Sequence, residues 1–159
     1  GAELVRALLA SRTPVVALVN GVAAGIGVPM ALACDYVVAS DAASFVLAFT
    51  RIGLMPDGGA TALVAASIGR ARAMRLALTG EKLPAVTAAD RGLIAECVPA
   101  ALFSARSSPW CGSSPPERLA TARLRGVRLW HPTLANLRPP IRGPSRRPRT
   151  ACSPCLRSC

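Results

Sequence analysis

Aromatic residues, histidine and acidic side chains are all scarce in this chain of 159 residues. Phe, Trp and Tyr make up 4%, there is one histidine, and 8 Asp+Glu stand against 19 Lys+Arg. Each shortage excludes something. With only Trp110 and Trp130 in the region of the arginines at 142–149, the aromatic platforms on which bases stack are nearly missing, which argues against a nucleic-acid module. The lone His131 and a Cys152-Ser153-Pro154-Cys155 pair with Cys159, but no second C-x-x-C, make a poor zinc set, so no metal is expected. Charge is absent between Arg12 and Asp35, a run that only just reaches spanning length. Asn20-Gly21 is a turn pair, and Gly25, Gly27 and Pro29 interrupt the middle, so no membrane span is expected either. No internal repeat, signal peptide or transit peptide is visible, and the expected location is cytoplasmic.

The residues that are present divide near position 100. Residues 1–100 carry a net charge of +1 and residues 101–159 a net charge of +10, so the basicity belongs to the C-terminal part. Nine of the 14 prolines and four of the six cysteines also follow residue 100, where apolar periodicity fades. Such composition buries too little apolar surface to offset the entropy of ordering, so residues 100–159 are expected to form a disordered tail behind a patterned domain at 1–99. The abrupt change after Pro99 has the look of a shifted reading frame in GC-rich coding sequence.

The most informative stretch is residues 15–35. It reads as a buried strand, a tight turn at Asn20-Gly21 and a helix start opened by Gly25-Ile26-Gly27, a junction that presents backbone N–H groups to an anionic ligand. A dinucleotide fingerprint is a poor fit, since the third glycine position holds Met30 and no acidic residue follows a second strand at the required distance. Around this junction the pattern predicts a helix over 2–11 with Leu4, Val5, Leu8 and Leu9 on one side, and strands at 15–19, 36–39 and 44–47. It further predicts a helix at 27–33, a turn at Pro56-Asp57-Gly58-Gly59, helices at 60–68 and 70–78 broken at Gly69-Arg70, a helix at 85–91 and a strand at 93–98.

Several of these segments together resemble the crotonase superfamily, also called the enoyl-CoA hydratase/isomerase family. Thr13-Pro14-Val15-Val16-Ala17-Leu18-Val19-Asn20-Gly21 is similar to its K-P-V-I-A-A-V-N-G strand, and Gly25-Ile26-Gly27 occupies its G-G-G position. Ala33-Cys34-Asp35-Tyr36-Val37-Val38-Ala39-Ser40 resembles its C-D-x-x-x-A segment. Phe45 and Ile52-Gly53-Leu54-Met55-Pro56-Asp57-Gly58-Gly59-Ala60-Thr61 resemble its F…x-G-x-x-P-x-x-G-G-T stretch. Leu76-Ala77-Leu78-Thr79-Gly80-Glu81 and Ala88-Ala89-Asp90-Arg91-Gly92-Leu93-Ile94 close the match. The fold this implies is α/β, a crotonase-like ββα spiral, here expected to be incomplete and followed by the disordered tail.

The resemblance also implies a site. The Ile26 amide would stabilise the thioester oxygen of an acyl-CoA as an enolate forms, with Gly25, Gly27, Pro29 and Phe49 against the substrate. A second amide would come from an earlier strand that these residues do not include. The two glutamates of the family's hydratases align with Pro29 and Phe49, neither of which can transfer a proton. Asp57 then has two readings, a turn residue before Gly58-Gly59 or the base of a double-bond shift, with Phe49, Leu54 and Met55 as desolvating walls that favour proton uptake. Asp35 is expected to cap or turn and Cys34 to pack in the core, while Arg51, Arg70, Arg72 and Arg75 are more simply solvated than bound to CoA phosphates.

Isomerisation is thus favoured over hydration, whether the chain acts as an enzyme is left open, and impaired activity is expected of an incomplete domain. Two alternatives remain, a noncatalytic CoA-thioester binder or assembly partner and a nucleic-acid-binding tail. No permanently bound cofactor is expected beyond the coenzyme A of the substrate, and the family implies a homotrimer or dimer of trimers.

Overall fold

The strand of residues Val16–Val19 (β1) ends at Asn20-Gly21, where the chain turns a corner and starts a second strand, Val22–Ala24 (β2), before entering helix Gly27–Leu32 (α2). The next segment repeats the plan. Tyr36–Ser40 (β3) turns at 41–43 into Ser44–Val46 (β4), and a 3-10 turn at Ala48–Ile52 and the 53–59 loop lead to helices Ala60–Ile68 (α3) and Arg70–Thr79 (α4). The structure is a computed structural model and describes residues 1–108.

The two passages stack in parallel register. β1 pairs with β3 from Val16↔Tyr36 to Val19↔Ala39, and β2 pairs with β4 from Val22↔Ser44 to Ala24↔Val46. The corners are stitched as well, because Ser44 N–H donates to Gly21 O at 3.2 Å and Gly25 N–H donates to Val46 O at 2.9 Å. Two turns of a ββα spiral are therefore present, as the resemblance implies. Lys82–Pro84 (β5) closes one sheet antiparallel to β4, and Glu96–Val98 (β6) closes the other parallel to β3, giving the orders β2-β4-β5 and β1-β3-β6.

Between the sheets and helices lies a core built of small residues around one large one. Phe45, 2% exposed, packs among Val28, Ala39, Ala43, Ala60, Val64, Leu76 and Leu83. Helix Ala2–Ala10 (α1) joins a second cluster through Val5, which meets Ala33 and Leu63. Of the stripe expected on α1, Leu8 and Leu9 are partly buried while Leu4 stays exposed. Gly69, at φ +81° and ψ 159°, makes the α3–α4 break in a conformation that an L side chain would strain.

Some expectations need correction. β2 and β5, three residues each, were not expected, being too short to show alternation, and the strand expected over 93–98 is confined to Glu96–Val98. The change of character expected at residue 100 is not a loss of structure there, because Ala100–Ser107 forms a sixth main helix, α6, after Ala85–Asp90 (α5). Its Ala, Leu and Arg residues favour helix, a local preference that the bulk composition of the tail conceals. Ala100 N–H donates to Asp41 Oδ1 at 2.9 Å, and Arg106 Nε donates to Glu96 Oε1 at 2.8 Å. The cysteine, histidine and arginine sites considered beyond residue 108 lie outside the described residues.

Candidate active site

α2 begins where β2 ends, and the passage between them is short because Gly25 turns the chain at φ +53°. Its N–H is spent on Val46 O. The next amide, that of Ile26, has no acceptor among the described residues, whereas Ile26 O already accepts from Met30 N–H at 3.1 Å. Pro29 sits buried in the first turn of α2, where a missing N–H costs little. A β-carbon on Gly25 would lie 3.8 Å from Phe49 Cζ, so the Phe49 ring stands in front of this turn, half-buried against the main core. One on Gly27 would lie 3.9 Å from Ala23 Cβ, which places Gly27 against the sheet.

Asp57 reaches the same place from the loop ahead of α3. Pro56-Asp57-Gly58-Gly59 is a turn, as expected, with Ala60 N–H donating to Asp57 O at 3.1 Å and with Gly58 at φ +65°. Gly58 is buried, and a β-carbon on it would collide with Ile26 Cδ1 and lie 3.3 Å from Pro29 Cγ and 3.5 Å from Val5 Cγ2. A β-carbon on Gly1 would lie 2.8 Å from Ile26 Cδ1 and 3.2 Å from Asp57 Oδ2, so the δ-methyl and the carboxylate both border Gly1. Gly25, Ile26, Pro29, Phe49 and Asp57, spread over 33 residues of sequence, thus converge.

Two of the three expected walls are not built. Leu54 is 57% and Met55 83% exposed, and Asp57 itself is exposed, because the chain leaves the 3-10 turn through Gly53 and no described element covers the loop. Only Phe49 is held in place.

Four other acidic side chains are engaged, whereas Glu3 and Asp90, like Asp57, are exposed and have no hydrogen-bond or ion-pair partner among the described residues. Asp35 Oδ2 accepts Val15 N–H at 2.9 Å, so instead of the expected cap or local turn it ties the start of β3 to the residue before β1. Asp41 holds the first amide of α6, Glu81 pairs with Arg75 at 3.0 Å, and Glu96 binds Arg106 in two bonds and accepts from Tyr36 Oη at 3.0 Å. The Arg106 bonds hold the Glu96 carboxyl below its ordinary value, against some opposition from burial. No donor among the described residues reaches the Asp57 carboxylate, and α3 starts at Gly59 with no side-chain cap.

The remaining candidates resolve simply. Arg51 donates to Gly80 O at 2.7 Å and Arg75 is paired, while Arg70 and Arg72 are exposed. Cys34 is half-buried, bonds Met30 O through Sγ at 3.4 Å, and its thiol is pushed up by burial. Among the described residues no cluster could hold a metal, and no helix is long and apolar enough to cross a membrane. Gly58 and Val5 were missed as parts of the site. The Gly58-Gly59 pair signals a turn, but nothing in it tells which side chains press on it.

The family model for enoyl-CoA hydratase/isomerase matches residues 1–113. The chain belongs to the enoyl-CoA hydratase/isomerase family. It is 52% identical over 96 residues to a protein named "Probable enoyl-CoA hydratase" from Rhodobacter capsulatus, covering 60% of this chain and 37% of that protein. It is 50% identical over 95 residues to the 1,2-epoxyphenylacetyl-CoA isomerase of Escherichia coli, covering 60% and 36%. A crystal structure of an enoyl-CoA hydratase from Mycobacterium avium subsp. paratuberculosis matches with a TM-score of 0.70 at 52% identity, over 78% of this chain and 52% of that one. The fold is accordingly the crotonase fold, and the chain spans little more than a third of the length of these curated relatives.

Proposed function

We propose that this family member acts on acyl-CoA thioesters and moves a double bond in the acyl chain rather than adding water to it. The observation that carries the reading is the state of Asp57, a carboxylate beside Ile26 that neither caps a helix nor pairs with a cation among the described residues. A turn residue retained for its geometry commonly bonds its own backbone two residues on, whereas this one does not. Its neighbours supply no second carboxylate, since Pro29 and Phe49 stand at the positions where the family's hydratases carry glutamates.

The chemistry follows from one base and one amide. With a 3-enoyl thioester in place, the Asp57 carboxylate takes a proton from the carbon next to the carbonyl, and the electron pair moves onto the thioester oxygen. The Ile26 N–H meets that oxygen as charge develops, so its bond strengthens toward the transition state. Asp57 then returns the proton two carbons further along, the electrons fall back, and a 2-enoyl thioester results with no atom gained or lost. The named relatives include an enoyl-CoA hydratase and an isomerase of 1,2-epoxyphenylacetyl-CoA, so reactions other than hydration are found among them.

Asp57→Asn tests the reading, because Asn keeps the shape and cannot take the proton. Isomerisation of a 3-enoyl-CoA should fall by about 10²–10⁴-fold, the usual share of general acid–base catalysis, with the melting temperature unchanged. Equal turnover by the variant would contradict the assignment.

A further inference from the structure

We infer that the side chain of Ile26, and not only its amide, is a positioning residue, because its δ-methyl seats the turn that carries Asp57. The inference rests on the proposed role of Asp57. The ends of the loop are bonded, Gly53 and Leu54 N–H to the 3-10 turn and Gly59 O to α3, but between them, among residues 55–58, only Asp57 O makes a backbone hydrogen bond to a described residue, accepting from Ala60 N–H at 3.1 Å. Leu54 and Met55 are exposed, and the Asp57 carboxylate ties to nothing among the described residues. The loop is instead seated at Gly58, so close to Ile26, Pro29 and Val5 that a β-carbon there would collide with Ile26 Cδ1 and lie 3.3 Å from Pro29 Cγ and 3.5 Å from Val5 Cγ2.

Of these three Ile26 would be met most closely, and its Cδ1 borders Gly1 together with Asp57 Oδ2. A β-branched side chain is stiff at χ1, so the γ-carbon that carries the δ-methyl is held in place. One residue would then fix both ends of the reaction, the N–H that meets the thioester oxygen and the wedge that sets how far away the base stands. Gly58 is the complement, for it lets the backbone approach the δ-methyl in a left-handed conformation that suits glycine. A base displaced by about 1 Å loses about 10²-fold in rate, so removing the stop acts on the chemical step.

The test compares wild type, Ile26→Ala, Ile26→Val, Ile26→Leu and Asp57→Asn in isomerisation of a 3-enoyl-CoA, with melting temperatures measured alongside. All three Ile26 variants keep the amide. Ala and Val lack a δ-carbon and should lower kcat about 10–100-fold, with KM within about 3-fold of wild type, while Leu restores a δ-methyl and should recover most of the rate. Val is small enough a change to fold even where Ala does not. If wild type turns over, Asp57→Asn does not, and Ile26→Val keeps the wild-type kcat, the inference is overturned and the reading of Asp57 stands. A wild type without isomerisation overturns both.

Discussion

Two kinds of acidic corner occur in this molecule, and they are used oppositely. At the ends of β3 the carboxylates of Asp35 and Asp41 each close a backbone bond, one to Val15 N–H and one to Ala100 N–H, over 20 and 59 residues of chain. At the turn before α3 the carboxylate of Asp57 closes none among the described residues, and the turn is instead seated by close apolar approach at Gly58. The difference separates carboxylates that tie the spiral together from one that holds no backbone group among the described residues. The same division runs through the apolar residues, for Phe45 is sealed in the core while Leu54 and Met55 lie open on the loop beside the site.

The largest effect that would break this comparison lies in the core. Phe45→Ala should cost about 3–5 kcal/mol in denaturant unfolding, since it leaves a cavity among Val28, Val64 and Leu83, while Leu54→Ala should stay within about 0.5 kcal/mol. A costly Leu54→Ala would mean that the loop is covered after all. Next comes Asp35→Ala, which removes the acceptor of Val15 N–H and should cost about 0.5–1.5 kcal/mol, whereas Asp57→Asn should leave stability unchanged. Comparable losses at both positions would erase the distinction between the corners.

The smallest effect concerns α6. The Glu96 carboxyl is held below its ordinary value of 4.5, chiefly by its hydrogen bonds from Arg106. A carboxyl lowered on folding stabilises fully above that ordinary value, and the contribution is lost as pH falls through the folded one. The protection of the α6 amides against exchange, taken relative to the intrinsic rate at each pH, should therefore fall on acidification below the ordinary value, and Glu96→Gln should flatten that dependence. The shift is modest because the pair is largely solvated, and added salt should weaken it further. Exchange in α6 that ignores both pH and Glu96→Gln would show that Asp41 and apolar contacts hold this helix alone.

The elements whose residues carry their own signals were legible in the sequence. β1 and β3 are unbroken apolar runs, and Gly69 and Gly80 bracket α4 as a break and a stop. β2 and β5 were not legible, because three residues cannot show a period and their strand character comes from the partner β4. α6 was hidden by averaging over a basic tail. For the site, the convergence of Asp57 on Ile26 across 31 residues followed from the family pattern rather than from periodicity. The wedge of Ile26 on Gly58 depends on how closely two backbones approach, which residue types alone do not report. The expectation of walls at Leu54 and Met55 failed for a related reason, since apolar identity does not ensure that something packs on a loop.

The central claim, that one carboxylate and one amide move a proton without adding water, is tested most directly by the product formed in water enriched in oxygen-18. With a 3-enoyl-CoA as substrate, the account predicts a 2-enoyl-CoA of unchanged oxygen content, and loss of that product in Asp57→Asn. A 3-hydroxyacyl-CoA carrying the heavy oxygen, formed equally well without Asp57, would contradict it.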